Sequence, residues 1–280
     1  MNQPILKQLA DVVLGFCRTV ISRWTLVKQL TVREIQDRYQ GSLVGRSWSI
    51  LYPLMMLCVY TFVFSVILQG YWISNNNDEP NHLNYAVNLF TGLIAFNLFA
   101  EPINAAPQLI LRKPIYVKQL VFPLELLNLV TVAASVFHAL TSLLILLIFQ
   151  LLIFGTIHLS VLWLPFIWLP LILLTLCMSW LISCLAVFLR DMIQIVPVMV
   201  TMLMFLSGIF YPISILPIPL RSLLFMNPLT IAVDQTRIIV VTGGMPNLTY
   251  ICIGIFAGLI LCCFTLFIFQ RSRHAFADVI

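Results

Sequence analysis

Six unbroken apolar runs dominate this chain, near residues 49–69, 84–104, 124–154, 160–188, 192–211 and 247–269. Each is close to or above the roughly 20 residues that an α-helix needs to cross a bilayer core of about 30 Å. No other feature limits the fold as strongly. The runs do not alternate apolar with polar side chains, which excludes a membrane β-barrel. Composition agrees: 61% of the 280 residues are hydrophobic and 9% charged, with a mean hydropathy of +1.03. A water-covered surface needs more charge than that. The sequence predicts an all-α integral membrane protein with six transmembrane helices.

Residues 1–47 differ in character. They hold seven of the fifteen basic residues: Lys7, Arg18, Arg23, Lys28, Arg33, Arg38 and Arg46. Leu6, Leu9, Val13, Phe16, Val20, Trp24 and Val27 recur at steps of three and four, one face of a helix. Two readings fit: an amphipathic helix in the membrane interface, or a soluble helix packed on a partner. The run Val12 to Cys17, between Asp11 and Arg18, is too short for a cleavable signal core. The first span is therefore expected to act as an uncleaved signal anchor.

Charge orients the spans. Arg112, Lys113 and Lys118 follow the second run, Arg190 the fourth, and Arg271 and Arg273 the sixth. With the N-terminal seven they put thirteen of fifteen basic residues on one side, leaving Arg221 and Arg237 opposite. The positive-inside rule makes both termini cytoplasmic. The stretch from Tyr211 to Gly244 is too apolar for a free loop, and prolines 212, 217, 219 and 228 divide it. It is expected to form two short helices dipping back into the outer leaflet before the last span, with Asp234 and Arg237 able to pair on one face. Pro165, Pro170 and Pro197 are expected to bend the fourth and fifth spans.

Several chemistries are missing. None of the four lysines follows a glycine, so there is no GxxxxGK phosphate loop, and neither GxSxG nor HExxH occurs. Of the seven cysteines, all but Cys17 fall in predicted spans, without metal-ligand spacing. No metal site, cofactor site or nucleic-acid surface is expected. Ionisable groups inside spans are costly and draw suspicion of function. Glu101 is expected to pair with Arg112 or Lys113. Glu125 suits the N-terminal dipole of the third span. His138, with Asn128 some turns away, either bonds a neighbouring helix or lines a path. Tyr71 and Trp72 fit an interfacial aromatic belt. Tyr39, Trp48 and Tyr52 form either such a belt or a flat surface for sugar rings.

Three segments share a resemblance. Residues 30–68 (LTVREIQDRYQGSLVGRSWSILYPLMMLCVYTFVFSVIL) run from a basic helix through Arg33, Arg38 and Tyr39, a Gly41-to-Gly45 turn and Trp48 into a span with Pro53. Residues 111–123 (LRKPIYVKQLVFP) end in Phe-Pro. Residues 187–217 carry Arg190-Asp191 and the Tyr211-Pro212 exit, followed by Asn227-Pro228. In this order they resemble the membrane subunit of bacterial polysaccharide ABC exporters, the type-2 permeases that serve O-antigen, capsule and teichoic acid.

The resemblance implies a homodimer working with two copies of a separate ABC ATPase, which binds the ATP and Mg²⁺. The expected substrate is an undecaprenyl-pyrophosphate-linked polysaccharide, most simply an O-antigen, moved outward across the bacterial inner membrane. It implies a cytoplasmic interface segment (1–47), a six-helix membrane domain (48–270) and a cytoplasmic tail (271–280). Within the membrane domain it implies an ATPase-coupling segment (107–123) with Arg112, Lys113, Tyr116 and Lys118. An outer gate (212–244) would use Tyr211, Pro212, Asp234 and Arg237. Arg33, Arg38 and Arg46 are candidates for the lipid pyrophosphate or for anionic lipid headgroups, and Tyr39, Trp48 and Tyr52 for the substrate path. The alternatives are a type-2 exporter of drugs or small lipids and a membrane enzyme of lipid-linked sugar metabolism.

Overall fold

The structure, a computed structural model, describes residues 5–42, 44–67, 82–112 and 122–279. No strand occurs among them. Two N-terminal helices, α1 (Ile5–Ser22) and α2 (Trp24–Asp37), precede α3 (Trp48–Tyr60), which continues as a π-helical run, Thr61–Ile67. Then come α4 (His82–Leu109), α5 (Glu125–Phe154), α6 (Leu164–Phe188) and α7 (Met192–Leu206). Two short helices, α8 (Ile218–Phe225) and α9 (Pro228–Arg237), lead to the long α10 (Leu248–Val279).

Among the described residues four segments are long and apolar enough to cross a membrane, Leu83–Leu109, Glu125–Phe154, Leu159–Phe188 and Leu248–Arg273, and the bent pair Ile218–Phe225 with Pro228–Thr242 makes a fifth if it is one broken span. Trp48–Phe64 and Met192–Leu206 are shorter apolar helices. The fifth run is shorter than expected because α7 stops at Leu206, and a turn follows with Gly208 at φ +64°. Pro165 starts α6 instead of interrupting it. It stands in the first turn of α6, where its missing N–H costs nothing.

Helix α4 is the centre of the bundle. It touches α3, α5, α6, α7 and α9, and 89% of its apolar window is buried. The corresponding share is 28% in α5 and 22% in α10, whose remaining apolar faces point outward. Helices α6 and α10 approach closely through Gly254 and Gly258, four apart. A Cβ on Gly254 would lie 2.8 Å from Pro170 Cβ, and one on Gly258 2.9 Å from Leu173 Cβ. Small residues one turn apart let membrane helices meet backbone to backbone. Gly258→Val is expected to push them apart and lower both the abundance and the detergent melting temperature of the protein. An unchanged melting temperature would refute this packing role.

The N-terminal segment is two helices rather than one, broken at Arg23. Part of its apolar stripe packs on the protein's own spans: Phe16 meets Trp180 edge to face at 5.3 Å, and Val27 is buried with Leu126 and Val130. Leu14, Ile21 and Trp24 remain exposed.

The polar side chains within the bundle are mostly matched. Asn128 donates to Ser179 and Ser183, each at 2.9 Å. Glu125, in the first turn of α5 as expected, accepts from Gln270 at 3.4 Å, and Arg273 donates to the Phe122 carbonyl at 2.8 Å. These contacts fasten the end of α10 to the start of α5.

Candidate functional site

The burial pattern of α4 points to the site. From Ala86 to Leu109 every residue is buried except Asn97, Glu101, Asn104, Ala105 and Gln108. Four of those five are polar and recur at steps of four, three and four, a single stripe along the helix. A stripe facing lipid would be apolar. Across from it, α5 presents Ser135, His138 and Ser142, spaced by three and four. The two stripes line a cavity of about 330 Å³, closed by Arg38 and Tyr39 after α2 and by Ser49, Tyr52 and Pro53 of α3.

An ionic cluster sits in its wall. Arg38 Nη1 donates to Glu101 Oε1. His138 Nδ1 lies 2.8 Å from the same oxygen and 3.0 Å from Arg38 Nη1. That nitrogen can donate to the carboxylate or accept from the guanidinium, and one tautomer cannot do both. Nε2 of the same ring is buried without a hydrogen-bond partner among the described residues. The cluster ties α2 to α4 and α5, three elements far apart in sequence.

Tyr39, Trp48 and Tyr52 are brought together. Tyr39 meets the His138 ring edge to face at 6.2 Å. All three, with Arg38, Gln40 and Ser42, line a second hollow of about 320 Å³ beside the first. Burial pushes the Tyr39 phenol up from its ordinary pKa against the lowering effect of Arg38, so the hydroxyl stays protonated.

The three arginines assigned to an anionic headgroup are not equivalent. Arg38 is engaged by Glu101, and exposed Arg33 lies 3.6 Å from Asp37 one turn on. Arg46 is in the turn before α3, but its side chain lies outside the described residues. Glu101 is thus held by Arg38 and His138; of the two partners the sequence suggested, Arg112 is exposed at the end of α4 and Lys113 lies outside the described residues. The proximity of α2 was invisible to reasoning from neighbouring sequence. Of the coupling candidates, Arg112 is exposed at the end of α4, while Lys113, Tyr116 and Lys118 lie outside the described residues, as do Tyr71 and Trp72.

At the opposite end of α4, the stretch after α7 forms the two expected short helices, α8 and α9, bent by 97°. Asn227 caps α9 by accepting from the Leu229 N–H at 3.0 Å, with Pro228 in the first turn. Asp234 and Arg237 act on each other through charge as expected, and Arg237 also reaches backbone carbonyls. Nε, Nη1 and Nη2 donate to the carbonyls of Asn88, Gly208 and Ile209 at 2.9, 2.8 and 2.6 Å. Those last two carbonyls lie just past the end of α7, where a cation is favoured. Tyr211 donates to the Phe205 carbonyl at 2.9 Å and Pro212 is buried beside it.

Asn97, Asn104, Ser135 and Ser142 escaped the sequence reading. Their signal was the helical spacing of polar residues within apolar runs.

Residues 25–241 match the family described as ABC-2 type transporter. The chain is similar to two proteins of Klebsiella pneumoniae, each called O-antigen export system permease protein RfbA. Both are 26% identical to it over 256 residues, covering 91% of this chain and 95% of the relative. A protein of the same name from Myxococcus xanthus is 23% identical over 257 residues, with the same coverage of both chains. The match takes in α2 and the helices that form the cavity and continues through α9, so the chain belongs to the ABC-2 type transporter family.

Proposed function

We propose that this chain is the membrane permease of an ATP-driven exporter that carries lipid-linked O-antigen polysaccharide outward across the bacterial inner membrane. The observation that carries this reading is its nearly end-to-end likeness to three O-antigen export permeases. The joined aromatic and polar hollows at Tyr39, Trp48 and Tyr52 support it, because aromatic faces hold sugar rings without demanding fixed hydrogen bonds. The drug- or lipid-exporting alternative has no such support among these relatives.

In this reading the two shorter apolar helices, α3 with its π-helical run and α7, are the first and fifth of six spans. Helices α8 and α9 re-enter the outer leaflet as the gate, and both termini are cytoplasmic. Leu14, Ile21 and Trp24 contact lipid. Residues 1–47 form the interface segment, 48–270 the membrane domain and 271–280 the tail. Two copies pair, and the outward apolar faces of α3 and α7 are available for that contact or for lipid. ATP hydrolysis and Mg²⁺ binding fall to two copies of a separate ABC ATPase docked on 107–123. The glycan arrives on undecaprenyl pyrophosphate.

Deleting the gene is expected to remove polymeric O-antigen from the cell surface and leave lipid-linked polymer inside, with restoration by the intact gene. Unchanged surface glycan in the deletion strain would reject the reading.

A further inference from the structure

We infer that the cavity between α4 and α5 is a subsite for a neutral sugar ring of the transported glycan, with the Glu101 carboxylate as its principal hydrogen-bond acceptor. The inference rests on the exporter reading above and names what that site recognises.

The chemistry of the wall carries it. Glu101 accepts only: Arg38 and His138 converge on its Oε1, which turns Oε2 to a ligand hydroxyl, while Asn97 and Asn104 stand one turn to either side and both donate and accept. Ser135 and Ser142 of the facing stripe already donate to the Leu98 and His138 carbonyls, so their oxygens remain able to accept. Tyr39 and Tyr52 add ring faces at the rim. A volume of about 330 Å³ lies at the small end of ligand pockets, suited to a ring and its substituents rather than a polymer segment.

Charge decides against a phosphate group as the occupant. Arg38, the one arginine or lysine among the described residues of the wall, is neutralised by Glu101, which also holds His138. An adjoining hollow adds Glu34 and Asp37. A diphosphate would meet balanced or acidic surroundings, whereas an uncharged polyhydroxylated ring meets hydrogen-bonding groups of both kinds. The pyrophosphate of the carrier must therefore sit elsewhere.

The test uses the purified permease–ATPase complex in lipid nanodiscs and saturation-transfer NMR. The probes are oligosaccharides released by mild acid from the producing strain's surface glycan, and inorganic pyrophosphate. The oligosaccharide is expected to bind, and pyrophosphate neither to bind nor to compete. Glu101→Gln is expected to weaken oligosaccharide binding about tenfold, since an acceptor at a charged group is worth more than one at an amide. Asn104→Leu fills the cavity without touching the ionic cluster and is expected to weaken binding to a similar degree. Displacement of the oligosaccharide by pyrophosphate, or wild-type affinity in both variants, would overturn the inference. So would absence of oligosaccharide binding in a complex that exports glycan. Each of these results leaves the exporter reading intact, which fails only if deletion of the gene spares surface glycan.

Discussion

Arg237→Ala should unfasten α9 and give the largest loss of stability of any single change outside the core. The side chain is buried at 5% exposure, and its three kinds of nitrogen each satisfy a carbonyl on another element, Asn88 on α4 and Gly208 and Ile209 after α7. Truncation leaves these acceptors without the guanidinium, at about 1–3 kcal/mol for each one that water cannot reach. Removing a buried charge returns part of that cost, so a net loss of about 3 kcal/mol is expected. Lys at this position has a single nitrogen and cannot span three carbonyls, so it should rescue little. Gly92→Ala offers an independent route to the same result, because a Cβ there would lie 2.6 Å from Arg237 Nη2. Both variants should lower the melting temperature and raise ion leak in reconstituted vesicles. Asp234→Ala should do less, since the guanidinium keeps its three carbonyls. A tight, fully stable Arg237→Ala protein would show that the α8–α9 pair is held by apolar packing alone.

The long helices were legible because lipid imposes one rule on every residue of a span, and that rule acts locally. The α8–α9 pair was legible for a related reason: prolines at 212, 217, 219 and 228 leave only short helices possible between them. What failed depended on contacts between distant elements. Nothing near Glu101 in sequence predicts Arg38, 63 positions earlier, as its partner. The shared helix face of Asp234 and Arg237 is readable locally, but the three carbonyls that take hydrogen bonds from the guanidinium come from α4 and from the turn after α7, and no local pattern announces them. Tyr39, Trp48 and Tyr52 were singled out by residue type, and the fold does gather them. Their polar counterparts were readable in principle. Asn97, Glu101, Asn104 and Gln108 repeat at helical spacing inside an apolar run, the pattern that marks a side of a buried helix facing something other than lipid.

Reversing charges within the ionic cluster separates its two jobs, fastening α2 and furnishing a carboxylate to the cavity. Arg38 and Glu101 are partly solvated, with side-chain exposures of 44% and 29%, so the attraction between them is worth only about 1 kcal/mol after screening. Arg38→Glu does more than remove it. The new carboxylate faces Glu101 with Glu34 and Asp37 close by, turning attraction into repulsion, a swing of about 2–3 kcal/mol. Helix α2 should then leave α4 and α5, with export falling to the level of the deletion strain and the melting temperature of the complex falling with it. Combining Arg38→Glu with Glu101→Arg restores opposite charges across the same gap. The double variant should regain most of the lost melting temperature and abundance. It should not regain export, because its carboxylate now projects from the end of α2 instead of the polar stripe of α4. Recovery of both properties would mean that the pair serves only to hold α2, and an unchanged melting temperature in Arg38→Glu alone would mean that α2 is held by Val27 packed on Leu126 and Val130 without help from the ions.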